Sequence, residues 1–143
     1  MKNNQAGFTL VEIAIVLVII GLLLGGVLKG QELINSAKVK NFATDFRNTP
    51  LFIYGYQDKY KRLPGDDNGA VARFAGATTV NGDGNGAIAG NYNSVTLGDE
   101  SARFWQHVRL AGLAAGSTDF SSVASAGLPT NADGGRIGIQ MTT

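Results

Sequence analysis

From residue 7 to residue 28 the chain reads GFTLVEIAIVLVIIGLLLGGVL. Of the 21 residues from position 8 to position 28, only Thr9 and Glu12 are polar apart from the glycines. A helix of that size, rising 1.5 Å per residue, is about 31 Å long, which matches a hydrocarbon core of about 30 Å. We therefore predict a membrane-spanning helix over residues 8–28. Lys2 precedes the run, so we place the short N-terminal segment in the cytoplasm.

The composition of the whole chain excludes several classes of protein. Its 143 residues carry 12 basic and 11 acidic side chains, a net charge of +1, so we predict no nucleic-acid partner. Cys is absent, which removes disulfides, thiolate zinc sites and cysteine nucleophiles. His107 is the only histidine, and nothing in the spacing gives it a catalytic partner. We therefore expect no enzymatic activity and disfavour an anchored hydrolase.

Glu12 is the one charge inside the apolar run. A carboxylate in a membrane helix costs about 2.5–3.5 kcal/mol at the centre of the bilayer and less near the end of the helix. One interpretation is an edge carboxylate that the membrane tolerates. The other is a charge that awaits a positive partner. Cleavage after Gly7 would create such a partner, the new α-amino group of Phe8 on a neighbouring subunit, and buried pairs of this kind set register.

The N-terminal motif resembles that of a known group of proteins. Gly7-Phe8-Thr9-Leu10-Val11-Glu12-Ile13, followed by an apolar helix, is similar to the prepilin motif of type IV pilins and type II secretion pseudopilins. The resemblance implies that prepilin peptidase cuts between Gly7 and Phe8, removes a leader of residues 1–7 and N-methylates Phe8. It also implies that Glu12 pairs with the N-terminus of a neighbouring subunit during assembly.

Three later segments resemble a looser group of prepilin-like proteins. They are Leu63-Pro64-Gly65-Asp66, the Gly/Asn-rich residues 81–86, and Trp105-Gln106-His107. The resemblance implies a structural filament subunit that crosses the inner membrane once before assembly. After assembly by pilus or secretion machinery it would lie in a periplasmic pseudopilus or an extracellular pilus. The alternative is a membrane-anchored, minor pilin-like domain for adhesion or for binding calcium or carbohydrate.

Beyond the membrane we predict an α+β protein. Apolar residues recur at helical spacing over residues 29–62, which predicts an amphipathic continuation of the first helix. Pro50 predicts a kink or a short break over residues 48–50. Residues 63–143 would form a small, glycine-rich globular domain with antiparallel strands and a second helix over residues 99–114. The strand candidates are weak and cover residues 87–89, 94–97 and 136–141.

The loop after the first helix carries a candidate calcium site. Asn81, Asp83 and Asn85 alternate with glycines, as in the first half of a calcium-binding loop. Position 12 of that pattern is Tyr92, which excludes an EF-hand, although Asp66 and Asp67 could complete a different site. Calcium in a loop is common in major pseudopilins, so the resemblance favours it. The alternative is a glycine-rich turn with Asn and Asp in left-handed conformations.

The C-terminal part contains few large apolar residues. Gly, Ala, Ser and Thr dominate residues 65–143, and no apolar strand follows Ile137, Ile139 and Met141. A domain of this composition has little surface with which to build its own core. We expect either that the sequence continues beyond residue 143 or that neighbouring subunits complete the sheet.

Overall fold

A computed structural model of the chain describes residues 7–75, 78–121 and 127–141. Within them the chain forms three helices: α1, Leu10–Tyr60; α2, Ala70–Arg73; and α3, Glu100–Leu110. The chain divides into two compact units, Met1–Lys40 and Asn41–Thr143, and α1 contributes to both. Of the predicted leader, only Gly7 lies among the described residues.

Helix α1 confirms the predicted long N-terminal apolar helix. It continues through Pro50, so the predicted break over residues 48–50 is wrong, whereas a kink there stays a prediction. Proline removes one backbone hydrogen bond from a helix. In the turn after it, Phe52 and Ile53 pack against the core of the second unit. In the turn before the proline, the hydroxyl of Thr49 donates to the carbonyl of Asp45 at 3.1 Å.

The first unit consists, in its described part, of residues 7–9 and of α1 as far as Lys40, and it includes the whole apolar run. By length and composition this helix is able to cross a membrane, and none of its most apolar stretch is buried within the chain. Just beyond the apolar run, Lys29 and Glu32 form an exposed ion pair of 2.7 Å on neighbouring turns. In the described part of the first unit, the apolar surface of α1 is therefore exposed.

The second unit has a small core built around α3. Its buried apolar cluster comprises Ile88, Ala102, Phe104, Trp105, Val108 and Phe120. Four of these six residues lie on α3, and Phe52 of α1 packs edge-on against Trp105 with ring centroids 6.2 Å apart. The second helix predicted over residues 99–114 is confirmed in a shorter form.

The predicted antiparallel strands are wrong for the described residues. No strand forms at residues 87–89, 94–97 or 136–141, and the only pairing there is an isolated bridge between Thr130 and Arg136. The α+β class is therefore not confirmed. Side chains take the backbone N–H groups that a sheet would use: Ala89 donates to the carboxylate of Glu100 at 3.0 Å, and Thr96 to the hydroxyl of Ser94 at 3.3 Å. Local bonds of this kind compete with sheet ladders.

Candidate functional site

The N-terminal motif presents an accessible peptide bond. Gly7, Phe8 and Thr9 precede the start of α1 and are not helical. The side chain of Phe8 is 84 % exposed, and the space around Gly7 is open. Proteases cut most readily at exposed, non-helical segments. The bond between Gly7 and Phe8 meets both conditions.

Glu12 has a role inside its own chain that we did not predict. Its Oε2 accepts hydrogen bonds from the backbone N–H and the hydroxyl of Thr9, each at 2.8 Å, and its own N–H donates to that hydroxyl at 3.3 Å. This reciprocal arrangement is a capping box, which satisfies backbone donors at the first turn of α1. The pattern Thr-x-x-Glu ahead of an apolar run is visible in the sequence and is the signal that identifies the cap.

The capping box uses one carboxylate oxygen of Glu12 and leaves the other, Oε1, able to accept a further hydrogen bond. Both bonds from Thr9 end on Oε2, and no bond from the described residues ends on Oε1. The side chain lies on an exposed turn. An ionised carboxylate accepts several hydrogen bonds at once, so capping α1 and receiving a positive group from another subunit are compatible.

Two buried carboxylates organise the glycine-rich loop. Asp66 accepts backbone N–H groups from Gly84 at 2.6 Å, Asn85 at 3.0 Å and Gly86 at 2.8 Å. Glu100, at the first turn of α3, accepts the N–H of Asp83 at 2.9 Å and of Ala89 at 3.0 Å. Their side chains therefore hold residues 83–89 in place of a strand ladder. We call these five bonds the carboxylate clamp.

Asp67 and Asn81, two of the predicted calcium ligands, make other contacts. Asp67 accepts the hydroxyl of Tyr56 at 2.6 Å, forms an ion pair with Arg73 and accepts the N–H of Gly69 at 2.9 Å. Burial alone would raise the pKa of Asp67, but the bonds from Tyr56 and Gly69 and the charge of Arg73 outweigh it and hold that pKa below its ordinary value. The amide oxygen of Asn81 accepts the backbone N–H of Val71, on α2, at 2.8 Å.

Asp83 and Asn85 bond mainly to their own turn. Asp83 accepts the backbone N–H of Asn85 at 2.9 Å and its side-chain amide at 2.7 Å. The side-chain oxygen of Asn85 accepts the N–H of Ala87 at 2.7 Å. Gly84 and Gly86 have positive φ angles of 78° and 88°. The segment is thus a glycine-rich turn, as in the alternative to a calcium loop, but its left-handed positions are these glycines, and no described Asn or Asp has a positive φ.

One acidic cluster nevertheless remains. Ligand oxygens of Asp66, Asp83 and Glu100 lie within 4.8 Å of one another. Asp66 and Asp83 were predicted as ligands, whereas Glu100 was not, because it follows Asp83 by 17 residues with no recognisable spacing. In this geometry the oxygens of the cluster already accept backbone N–H groups. Calcium binding therefore stays a prediction.

His107 has a structural environment. Its Nδ1 accepts the N–H of Gly65 at 2.9 Å, and its Nε2 bonds the carbonyl of Val80 at 2.9 Å, an arrangement that fits a neutral ring with the proton on Nε2. Burial lowers its pKa. Beside it, Gln106 donates to the carbonyl of Thr78 at 2.6 Å. Both side chains therefore fix the loop before the clamp, and neither bonds a nucleophile among the described residues.

Comparison with known proteins identifies the N-terminal segment. Residues 2–28 match the family of the prokaryotic N-terminal methylation motif. No curated protein and no solved structure matches the chain. The chain carries the prepilin motif of type IV pilins and pseudopilins, which supports a pilin-like or pseudopilin subunit.

Proposed function

We propose that this chain is a structural, non-enzymatic subunit of a type IV pilus or a type II secretion pseudopilus. The observation that carries the proposal is the methylation motif over residues 2–28, continuous with an apolar helix that the chain itself leaves uncovered. Such a helix needs lipid before assembly and apolar surfaces of other copies afterwards. The subunit would span the inner membrane once and then enter a helical filament in the periplasm or outside the cell.

Processing is the first step of this function. Prepilin peptidase would cut the exposed bond between Gly7 and Phe8 and methylate the new amino group of Phe8. Mass spectrometry of the mature protein tests this directly, and we expect N-methylated Phe8 as the first residue. An intact Met1, or a first residue beyond Leu28, would contradict the proposal.

Assembly is the second step, and it depends on Glu12. Its carboxylate would pair with the methylated amino group of a neighbouring Phe8 while Thr9 holds the other oxygen. The capping box separates these two roles experimentally. Glu12→Gln keeps an acceptor for the cap, since Gln also serves in capping boxes, but removes the charge. Thr9→Val keeps the charge and removes the capping hydroxyl.

We expect Glu12→Gln to be processed normally and to form few filaments. Filaments sheared from cells are counted by electron microscopy and compared with those of Thr9→Val at equal subunit levels. If Glu12→Gln forms normal filaments, the charge pair is not required. If only Thr9→Val lacks filaments, the capping box is the essential feature instead. The alternative, a membrane-anchored, minor pilin-like domain for adhesion or for binding calcium or carbohydrate, stays a prediction, and the cluster of Asp66, Asp83 and Glu100 is the observation that bears on its calcium site.

A further inference from the structure

The second unit has an exposed apolar groove. Its apolar lining comes from Phe42, Phe46 and Pro50 on α1 and from Tyr92, Ile137 and Ile139 on the loops, around a volume of about 460 Å³. We call it the Phe46 groove. Phe46 is 81 % exposed and Tyr92 is 59 % exposed. Large apolar side chains this exposed, on one concave surface, are typical of an interaction site.

The charges of the groove indicate the kind of partner. Asp45 and Arg136 also line it, and their opposite charges offset each other. A groove with no net charge has no preference for an anionic or a cationic ligand. Its lining, one helix on one side and loops on the other, leaves room for an apolar helix laid along it.

We infer that the Phe46 groove binds the apolar helix of a second copy of this chain, within residues 10–28. The inference rests on the proposed function. Each copy carries an uncovered apolar helix in its first unit and an uncovered apolar groove in its second unit. Contact between copies through these surfaces removes the groove from water, which favours association, and covers the helix once it has left the lipid.

The symmetry of a filament selects this partner. A contact between two different surfaces, helix to groove, is heterologous, and it produces an open helical stack when the rotation does not close. Contact of one groove with another groove is isologous and gives a closed dimer, which ends growth. The helix of the next copy is therefore the occupant that is compatible with a filament.

The absence of Cys from the sequence makes the contact directly testable. Cells co-express two full-length variants: Phe46→Cys in one copy, and a single cysteine placed at successive positions from 10 to 28 in the other. Filaments are oxidised and the disulfide-linked dimers are quantified. We expect cross-links to recur every three to four positions, because one face of the helix enters the groove.

Control variants make the result specific. Leu51→Cys is the matched control, since Leu51 is also on α1 and is 63 % exposed but does not line the groove. It should give several-fold less cross-linking. Ile139→Cys replaces Phe46→Cys if the latter does not assemble, and the same recurrence is expected.

Two results would overturn the inference. One is filaments in which neither groove cysteine cross-links to any position of the helix. The other is a dimer formed by Phe46→Cys alone, which would mean that two grooves meet. If instead the unmodified chain forms no filament although it is processed, the proposed function itself fails, and the inference fails with it.

Discussion

Asp66 gives the sharpest test of how the second unit is held together. It is 4 % exposed, and its carboxylate accepts three backbone N–H groups at 2.6–3.0 Å from a loop 18–20 residues further along the chain. In Asp66→Asn, one oxygen becomes an amide NH₂. If that NH₂ takes the place of Oδ2, it faces the N–H of Gly86, so a donor meets a donor.

The cost of Asp66→Asn follows from these bonds. A hydrogen bond to a charged group contributes about 1.5–3 kcal/mol, and a buried donor left unpaired costs about 1–3 kcal/mol. Asn retains the two bonds on one oxygen in weakened, uncharged form and loses the third. We therefore expect a loss of about 2–4 kcal/mol in the free energy of unfolding, and a larger loss for Asp66→Ala, which removes all three bonds.

Trp105 provides the assay because it is the only tryptophan and is buried in the core of the second unit. Its fluorescence is followed during urea unfolding of the full chain in detergent. Asp83→Asn is the control, because Asp83 is exposed and Asn still caps the same turn. We expect a change below about 0.5 kcal/mol for this control. A loss below about 0.5 kcal/mol for Asp66→Asn would refute the carboxylate clamp.

The same variants test calcium. If the clamp alone orders the loop, the loss in Asp66→Asn is equal with and without calcium. If Asp66 and Asp83 bind calcium, the ion raises the melting temperature of the unmodified chain, and both variants remove most of that rise. A rise that survives in both variants removes Asp66 and Asp83 from any calcium site.

Three further predictions concern buried residues of the second unit, His107, Tyr56 and Gly82. Burial lowers the pKa of His107 in the folded chain below the ordinary histidine value of about 6.5. At a pH just below that value, the unfolded chain therefore binds more protons than the folded chain. Stability should therefore fall as the pH falls through that region, and His107→Gln should flatten the dependence, measured by urea unfolding. Tyr56→Phe removes a buried bond to Asp67 and should cost about 1.5–3 kcal/mol in the same assay. Gly82→Ala should prevent folding of the second unit, because a Cβ there would lie 2.2 Å from the carbonyl carbon of Asp66. Gly98→Ala should express normally, because a Cβ there would meet the hydroxyl of Thr96 at 3.9 Å, an ordinary van der Waals contact.

The helices were the predictable part of the fold. An uninterrupted apolar run followed by helical spacing identified α1, and the predicted second helix over residues 99–114 contains all of α3. These signals are local, because a helix bonds each residue to one four positions away. The capping box of Thr9 and Glu12 is equally local, because it joins residues three positions apart.

The loops were not predictable, because their bonds join distant residues. Asp66 bonds to residues 18–20 positions away, Glu100 bonds back to Asp83, and His107 bonds to Gly65 across 42 positions. No spacing rule identifies such partners. The weak alternation at residues 136–141 suggested a strand, but only Arg136 pairs, with Thr130.

The two units differ in their cores, and this difference is compatible with the proposed function. The buried core of the second unit and the apolar side chains packed on it lie between Phe52 and Ile139 in the described residues, so none of them comes from the membrane-spanning run. The carboxylate clamp likewise uses only residues 66–100. Under the proposed function, moving the apolar part of α1 from lipid into a filament would change the surroundings of the first unit without removing a side chain from this core. The second unit would then keep its core and its carboxylate clamp during assembly.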